Sequence, residues 1–305
     1  MIIYALLLTT LGLAFLSLYL LWKAGGQPLP VSWPRLVTGL SLGPFIYLYG
    51  TWVYLTIYAK HVFGVLFMLC LLAVLFKKKA APAALPALWK QGIAVLFSIL
   101  FLLGTWLYFT GTTGKPRTVA LAFPFKKGNY FVLQGGKGLP TNIFHYSLRG
   151  AIYAMDIVKL NNWGGRASTV FSRRLSAYTI FNDTIYSPCD ARVVHAYSNN
   201  PDNIPPNMAR GPKNTNQVLL ETDSCYIFLA HLKMNSVVVE DGQWVHAGEA
   251  LGTVGNSGFS SEPHLHIQVH AKPPEGKPWY NGEPLYILFN GRGYLQNEII
   301  RDKHQ

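Results

Sequence analysis

The chain has 305 residues, a formal net charge of +12 and a mean hydropathy of +0.21. This hydropathy is too high for an ordinary soluble protein of its size. The charge is unevenly placed, because all 14 acidic residues lie at or after Asp156 while residues 1–110 carry just seven Lys or Arg. The positive excess is therefore largely a membrane-orientation signal. It argues weakly for nucleic acid and better for an anionic envelope surface, so no nucleic-acid partner is expected.

Four apolar runs in the first third of the chain predict transmembrane helices. A helix needs about 20 apolar residues to cross the hydrocarbon core of a bilayer. The third run is short, so lysines at its ends would extend toward the headgroups. The runs cover Ile2–Leu21, Val37–Tyr58, Val62–Phe76 and Ile93–Phe109. Residues 1–110 are thus predicted as an all-α transmembrane region of about four helices, with three or five as the alternatives.

Basic residues in the short loops predict an orientation. Cytoplasmic loops of membrane proteins are enriched in Lys and Arg, and the loops after the first and third helices would share one side. The basic residues in these two loops are Lys23, Arg35, Lys77, Lys78, Lys79 and Lys90. Four crossings would then place both termini and the C-terminal domain outside the membrane, with membrane lipid as a partner of the helices.

The chain changes character after the last apolar run. Residues 111–122 are predicted as a linker, and residues 123–305 as an all-β domain, because runs with alternating apolar residues are separated by Gly, Asn, Asp and Pro. Residues 199–217 lack an apolar period and are predicted as a long surface loop that could border a substrate groove. Cys189 and Cys225 could form a disulfide in an oxidising compartment or remain free, buried thiols.

A short segment near the C-terminus is rich in histidine. Residues 260–270, SSEPHLHIQVH, contain three of the nine histidines. In an extended strand alternate side chains share a face, so His264 and His266 point the same way. Two imidazoles on one face can converge on a metal ion or on its bound water. The alternative is an ordinary polar face of a half-exposed strand.

Three further motifs accompany this segment in a recognisable order. HLH at His264–His266 follows VGNSGFSSEP, while AHL lies at Ala230–Leu232 and YAMDIV at Tyr153–Val158. Together they resemble the lysostaphin-like (LytM-type) zinc metallopeptidase family, over about residues 123–282. The resemblance implies a β-sheet core with a lipoyl-type hairpin. It also implies a bacterial, membrane-anchored zinc metalloendopeptidase that hydrolyses the peptides of cell-wall peptidoglycan.

Site residues follow from the same resemblance. Asp156 and His266 would be zinc ligands, and His231 and His264 would be the catalytic histidines that handle protons. Three protein ligands leave one position of zinc open for a water molecule whose pKa falls to about 7. One imidazole could take the proton of this water, and a second, protonated imidazole could stabilise the oxyanion or protonate the leaving amine.

The sequence departs from the family pattern at the first ligand. This ligand is usually a histidine four residues before the aspartate, and the corresponding residue here is Ile152, which cannot bind metal. Either the site is inactive or another histidine replaces it. His145 is the candidate, since some family members have an HY pair at about this place. Tyr153 and Asn256 are expected substrate contacts.

Three rival functions remain compatible with the sequence. One is a non-catalytic relative that binds wall material or activates another hydrolase, as the isoleucine at position 152 would permit. A second is a lipoyl-type carrier or adaptor domain, which is disfavoured because the VGNSG turn has no lysine at its tip. The third is a signalling receptor, since four helices exceed what anchoring requires. The sequence gives no indication of protein partners.

Overall fold

The N-terminal part of the chain folds into long helices, as its apolar runs predict. The computed structural model describes residues 2–78, 84–147, 149–209 and 211–301, and the chain divides into two units, Met1–Phe109 and Thr110–Gln305. The helices of the first unit are α1 (Ile2–Gly25), α2 (Leu29–Tyr49), α3 (Ile57–Phe76) and α4 (Leu88–Thr110).

The described residues contain three helices long and apolar enough to cross a membrane, namely α1, α3 and α4. Helix α2 does not reach that hydropathy, because Ser, Thr and Gly interrupt its apolar residues and Pro34 and Pro44 lie inside it. The second predicted span, Val37–Tyr58, is also misplaced. Helix α2 begins after Pro28 and ends at Tyr49, and a short 3-10 turn at Trp52–Tyr54 follows.

Contacts inside this unit fix the direction of each helix. Helices α1 and α2 are antiparallel, since Ser17 bonds the carbonyl of Gly39 at 3.1 Å and Thr10 lies 3.0 Å from Thr51. Helix α3 runs parallel to α1, because the Nζ of Lys77 lies 3.2 Å from the carbonyl oxygen of Trp22 at the C-terminal ends of both helices.

Helix α4 runs in the same direction as α2. The hydroxyl of Tyr49, at the end of α2, donates to the carbonyl of Gly104 at 2.8 Å, and its ring contacts Tyr108. The four helices therefore alternate in direction. One end of the bundle carries the loops that follow α1 and α3, and the other carries the start of α1 and the end of α4. Lys79, which belongs to the predicted basic loop, lies outside the described residues.

The second unit is built on β-strands. In chain order these are β1 (Thr118–Leu121), β2 (Asn129–Gln134), β3 (Met155–Lys159), β4 (Thr184–Tyr186), β5 (Ala191–Tyr197), β6 (Gln217–Glu221), β7 (Cys225–Ala230), β8 (Trp244–Val245), β9 (Ala250–Thr253), β10 (Leu265–Ala271), β11 (Pro284–Phe289), β12 (Arg292–Gly293) and β13 (Ile299–Arg301). A four-residue helix, α5 (Ile143–Tyr146), lies between β2 and β3.

Most of these strands join one largely antiparallel sheet. Its main path is β13-β2-β3-β10-β7-β6-β5-β8, and β11 links β1, β10 and β12 to it. Strands β4 and β9 form a separate pair. Alternating apolar side chains, such as Ile157, Ile227, Leu265 and Ile267, are fully buried and form the core. The predicted C-terminal all-β domain is confirmed.

Strand β10 lies between β3 and β7, where its register determines which side chains meet. His266 is paired with Asp156 of β3 and with Ala230 of β7. Residues 110 apart in sequence are therefore neighbours across the sheet. Because backbone hydrogen bonds and the apolar core specify this register, the meeting of Asp156 and His266 is a property of the fold.

Two sequence expectations are refined by the fold. Strand β1 lies within the predicted linker 111–122 and pairs in parallel with β11, so part of this segment belongs to the sheet. Cys189 and Cys225 are free thiols. Burial, followed by the neighbouring Cys225, raises the pKa of the Cys189 thiol to about 12, which makes it a poor nucleophile.

Candidate active site

Polar side chains occupy one face of β10 and the residue before it. His264, His266, Gln268 and His270 alternate with Leu265, Ile267 and Val269, and these three apolar residues are buried in the core. Because the side-chain period of a strand is two, the four polar side chains share one face. The sequence pattern HLHIQVH thus separates core residues from site residues.

His266 and Asp156 form the centre of the site. The Nδ1 of His266 lies 3.1 Å from Oδ1 of Asp156, and both side chains are about nine-tenths buried. The Nε2 of His264 lies 3.5 Å from the same carboxylate oxygen. Phe228 borders the site, with its ring nearly perpendicular to that of His266 and stacked on that of Trp279.

His145 reaches this carboxylate from a different part of the chain. It lies in α5, eleven residues before Asp156, and its Nε2 is 3.4 Å from Oδ1 of Asp156. Its ring centroid lies 5.0 Å from that of His266. The side chain of Asn142 lies 2.8 Å from the Nδ1 of His145. Helix α5 therefore brings a histidine next to Asp156.

His231 lies beside His264 on the other side of the site. It follows the last residue of β7 and has a left-handed backbone conformation with φ of 67°, which is uncommon for a residue other than glycine and often occurs at functional sites. Its ring centroid is 4.7 Å from that of His264. Its Nδ1 lies 2.8 Å from the carbonyl oxygen of Ser257, so its Nε2 is the free ring nitrogen.

The orientation of His264 depends on a buried ion pair. Its Nδ1 lies 2.8 Å from the carbonyl oxygen of Glu262. The carboxylate of Glu262 accepts two hydrogen bonds of 2.7 Å from Arg166, and both side chains of this pair are buried. A bidentate pair of this kind holds a loop in one geometry. The ion pair thus fixes the loop carbonyl that orients His264.

Burial and neighbouring charges shift the pKa values in the site in different directions. Burial raises the pKa of Asp156, but His145 and His264 outweigh this effect and hold that pKa well below the usual aspartate value. Burial lowers the pKa of His231 well below its ordinary value. For His264 burial also lowers the pKa, yet the charge of Asp156 reverses the balance and the pKa is raised. Burial lowers the pKa of His266.

The donor atoms of three buried side chains are close enough to share one ion. One nitrogen each of His145 and His266 and one oxygen of Asp156 lie within 4.8 Å of one another. These are the three residues that the sequence predicts as metal ligands. His231 and His264, the two predicted proton-handling residues, lie against the same group.

Comparison with protein-family models identifies the unit that carries this site. Residues 176–281 match the model described as peptidase family M23. The C-terminal unit contains an M23 peptidase domain. The matched range includes His231, His264 and His266, whereas His145 and Asp156 precede it in the chain. No curated protein matches the sequence.

Several solved structures resemble the chain that carries this M23 domain. Lysostaphin from Staphylococcus simulans matches with 19% identity over 47% of this chain and 43% of its own, at a TM-score of 0.30. A zinc-containing peptidase from Vibrio cholerae matches with 18% identity over 50% and 37%, at 0.31. The catalytic domain of the prophage-encoded M23 protein EnpA from Enterococcus faecalis matches with 15% identity over 58% and 93%, at 0.29. The chain spans less than half of the first two, and such distant likenesses assign no residue roles.

The two predicted substrate contacts have different surroundings in the C-terminal unit. Tyr153 is half-buried and packs edge-on against Tyr286. Asn256 is fully buried, and its amide bonds the carbonyl of Asn203 and the hydroxyl of Ser260. This position does not suit direct contact with a substrate, because both polar groups of the side chain already bond other loop residues.

Sequence reasoning missed two polar residues that touch the predicted ligands. Asn142 contacts His145, and Gln268 lies with its Oε1 3.1 Å from the Nε2 of His266. For Gln268 a signal was available, because it shares the strand face of His264 and His266. For Asn142 the sequence contains no comparable signal, since the turn before α5 has no regular period.

Proposed function

We propose that the chain is a membrane-anchored zinc metalloendopeptidase that hydrolyses peptide bonds of bacterial cell-wall peptidoglycan. The observation that carries this proposal is the convergence of His145, Asp156 and His266 on one point, with His231 and His264 beside them. The M23 match independently supports a peptidase. Peptidoglycan is the substrate class that the lysostaphin-like motifs of the sequence imply.

The donor set fits zinc. Catalytic zinc sites take three protein ligands from histidine and carboxylate and keep one position for water. Magnesium and calcium prefer oxygen ligands, so two imidazoles and one carboxylate suit zinc better. A buried carboxylate also needs a positive partner to offset its desolvation. When bound by His145, Asp156 and His266, zinc would acidify a water molecule and polarise the scissile carbonyl.

The two remaining histidines suit opposite proton-transfer roles. His231, whose pKa burial lowers, stays neutral at pH 7 and can accept a proton at Nε2. His264 has its Nδ1 against the carbonyl oxygen of Glu262 and its Nε2 toward the site. When protonated, it can donate to a developing oxyanion or to the leaving amine.

The proposed location outside the membrane is supported by the helix directions. Alternating directions place the loops after α1 and α3 at one end of the bundle. Six of the seven basic residues of the first unit lie in these loops or within two turns of them in the flanking helices. The positive-inside tendency would make that end cytoplasmic. This requires α2 to return the chain across the membrane even though its hydropathy is lower than that of the other helices. The M23 domain, which follows α4, would then face the cell wall.

One alternative function has a specific observation in its favour. Isoleucine at position 152, where the family pattern has a ligand, would be expected in an inactive relative that binds wall material. In the structure, however, His145 takes a place next to Asp156 at 3.4 Å. We therefore favour an active enzyme.

The test uses the full chain purified in detergent. We expect about one zinc per chain and release of soluble peptides from purified peptidoglycan. Removal of zinc by a chelator should abolish this release, and added zinc should restore it. Asp156→Ala is the matched negative variant, and His246→Gln is the control, since His246 is an exposed surface residue. A chain that binds wall material but holds no zinc and releases nothing would establish the non-catalytic alternative.

A further inference from the structure

We propose that the side-chain amides of Asn142 and Gln268 are positioning residues that fix the ring orientation and tautomer of His145 and His266. The inference rests on the proposed zinc site. In that site each imidazole can use just one nitrogen for metal, and the partner of the other nitrogen decides which one is used. The two histidines have the same kind of partner, a carboxamide oxygen.

Asn142 holds His145 and anchors the turn that carries it. Its Oδ1 lies 2.8 Å from the Nδ1 of His145, which leaves Nε2 facing Asp156. Its Nδ2 donates to the carbonyls of Ile152 at 3.1 Å and Ala154 at 2.9 Å. The side chain is fully buried. One amide therefore connects the replacement histidine to the segment where the family pattern has its ligand.

Gln268 contacts His266 from the same face of β10. Its Oε1 lies 3.1 Å from the Nε2 of His266, and its Nε2 lies 3.4 Å from the Nε2 of His270. The Nδ1 of His270 in turn lies 3.0 Å from the carbonyl oxygen of Gly282. His270 is fully buried. The contacts form a continuous series from His266 to a backbone carbonyl that can only accept.

The carboxamide oxygen of Gln268 determines the proton position on His266. A neutral imidazole has one N–H and one lone pair, and an amide oxygen can only accept. The Nε2 of His266 therefore donates to Oε1 of Gln268. The lone pair is then on Nδ1, the nitrogen nearest Asp156, where it is available to a metal ion. His270 bonds the backbone carbonyls of Gly282 and Gly150 and supports the amide of Gln268.

Asn142 fixes the proton of His145 in the same way, except that here Nδ1 carries the proton and Nε2 faces Asp156. The NH₂ group of Asn142 is used by two backbone carbonyls, so its oxygen is the atom that faces His145. His145 must donate from Nδ1, and its Nε2 carries the lone pair. Partners of this kind typically contribute 10–100-fold to metal affinity.

The test compares acceptor-deleting with acceptor-retaining substitutions in the full chain in detergent. Gln268→Met keeps the length of the side chain but removes the acceptor, and we expect zinc to bind roughly 10–100-fold more weakly in chelator competition. Gln268→Glu keeps an oxygen facing His266 and should bind zinc at least as tightly as wild type. Asn142→Leu is the second acceptor-deleting variant, and it should also weaken zinc binding.

Cobalt substitution supplies a readout that a change in stability alone would not move. The visible absorption of bound cobalt reports ligand geometry, and we expect it to change in Gln268→Met and Asn142→Leu at saturating metal while Gln268→Glu retains the wild-type band shape. Asn161→Leu is the control, because the Asn161 side chain bonds backbone groups of its own loop. Asn161→Leu should leave zinc affinity unchanged.

The outcomes separate this inference from the proposed function. If wild type binds zinc and Gln268→Met and Asn142→Leu match it in affinity and cobalt spectrum, the positioning roles are overturned while the zinc site stands. If Gln268→Glu binds as weakly as Gln268→Met, the acceptor is not what matters and the inference also fails. If wild type itself holds no zinc, the proposed function falls, and the inference falls with it.

Discussion

The two sides of the candidate site are built by different means. Asp156 and His266 lie on adjacent strands, where register and a continuous apolar core fix their separation. His145 lies on a four-residue helix in an irregular segment, and the buried amide of Asn142 links it to the segment before β3. The first pair is positioned by the whole sheet, whereas His145 is positioned by local hydrogen bonds. The loss of Asp156 or His266 should therefore be harder to compensate than the loss of His145.

Asp156→Ala should have the largest effect. It removes the group that three histidines face, so we expect zinc binding and peptidase activity to be abolished. Zinc affinity should fall by more than the roughly 100-fold that supporting residues can cost. Chelator competition and peptide release from peptidoglycan measure the two losses. Retention of zinc by this variant would contradict the assignment of the central ligand.

His231→Gln should reduce turnover without removing metal. His231 lies against the ligands but is not one of the three converging residues, and its expected role is proton transfer. We expect kcat to fall by roughly 10²–10⁴-fold while zinc affinity stays within a factor of a few. Steady-state kinetics and metal analysis on the same preparation separate these effects. A parallel loss of zinc would instead make His231 a ligand.

His145→Ala should weaken zinc binding by about 100-fold or more. A histidine introduced at a nearby position should restore part of this affinity. Because Asn142 contacts both His145 and the backbone of Ile152, the two positions are close. We expect Ile152→His in the His145→Ala background to recover part of the zinc affinity. The matched control, Tyr153→His in that background, should recover none. If both double variants bind zinc equally well, His145 does not substitute for a histidine at position 152.

The smallest effect is expected at the far end of β10. Burial lowers the pKa of His270, so the unfolded chain binds a proton below about pH 6.5 that the folded chain does not. The free energy of unfolding therefore falls as the pH decreases through that value. His270→Phe should reduce this fall by up to about 1.4 kcal/mol per pH unit. Unfolding of the metal-free chain between pH 5 and pH 7 measures it, and an unchanged slope would contradict a neutral, buried His270.

Some of the fold and site could be predicted because the signal was periodic. Long apolar runs predicted the helices, and period-two runs predicted the β domain. HLHIQVH placed His264 and His266 on one face because a strand has no other geometry. The second helix was misplaced because glycine, serine and proline inside α2 blur its boundaries, while Trp52–Tyr54 are apolar without continuing the helix.

The sequence by itself determined which structural elements this protein has, namely a set of apolar helices, a β domain and a strand with histidines on one face. These follow from local periodicity, which neighbouring residues carry. The tertiary structure alone decided that Asn256 is buried and that Gln268 joins His266 to His270. The family resemblance predicted that His145 meets Asp156 and His266, but no local pattern did. Such meetings depend on strand register and on the path of irregular segments, and residues 110 apart in the chain carry no local trace of being neighbours.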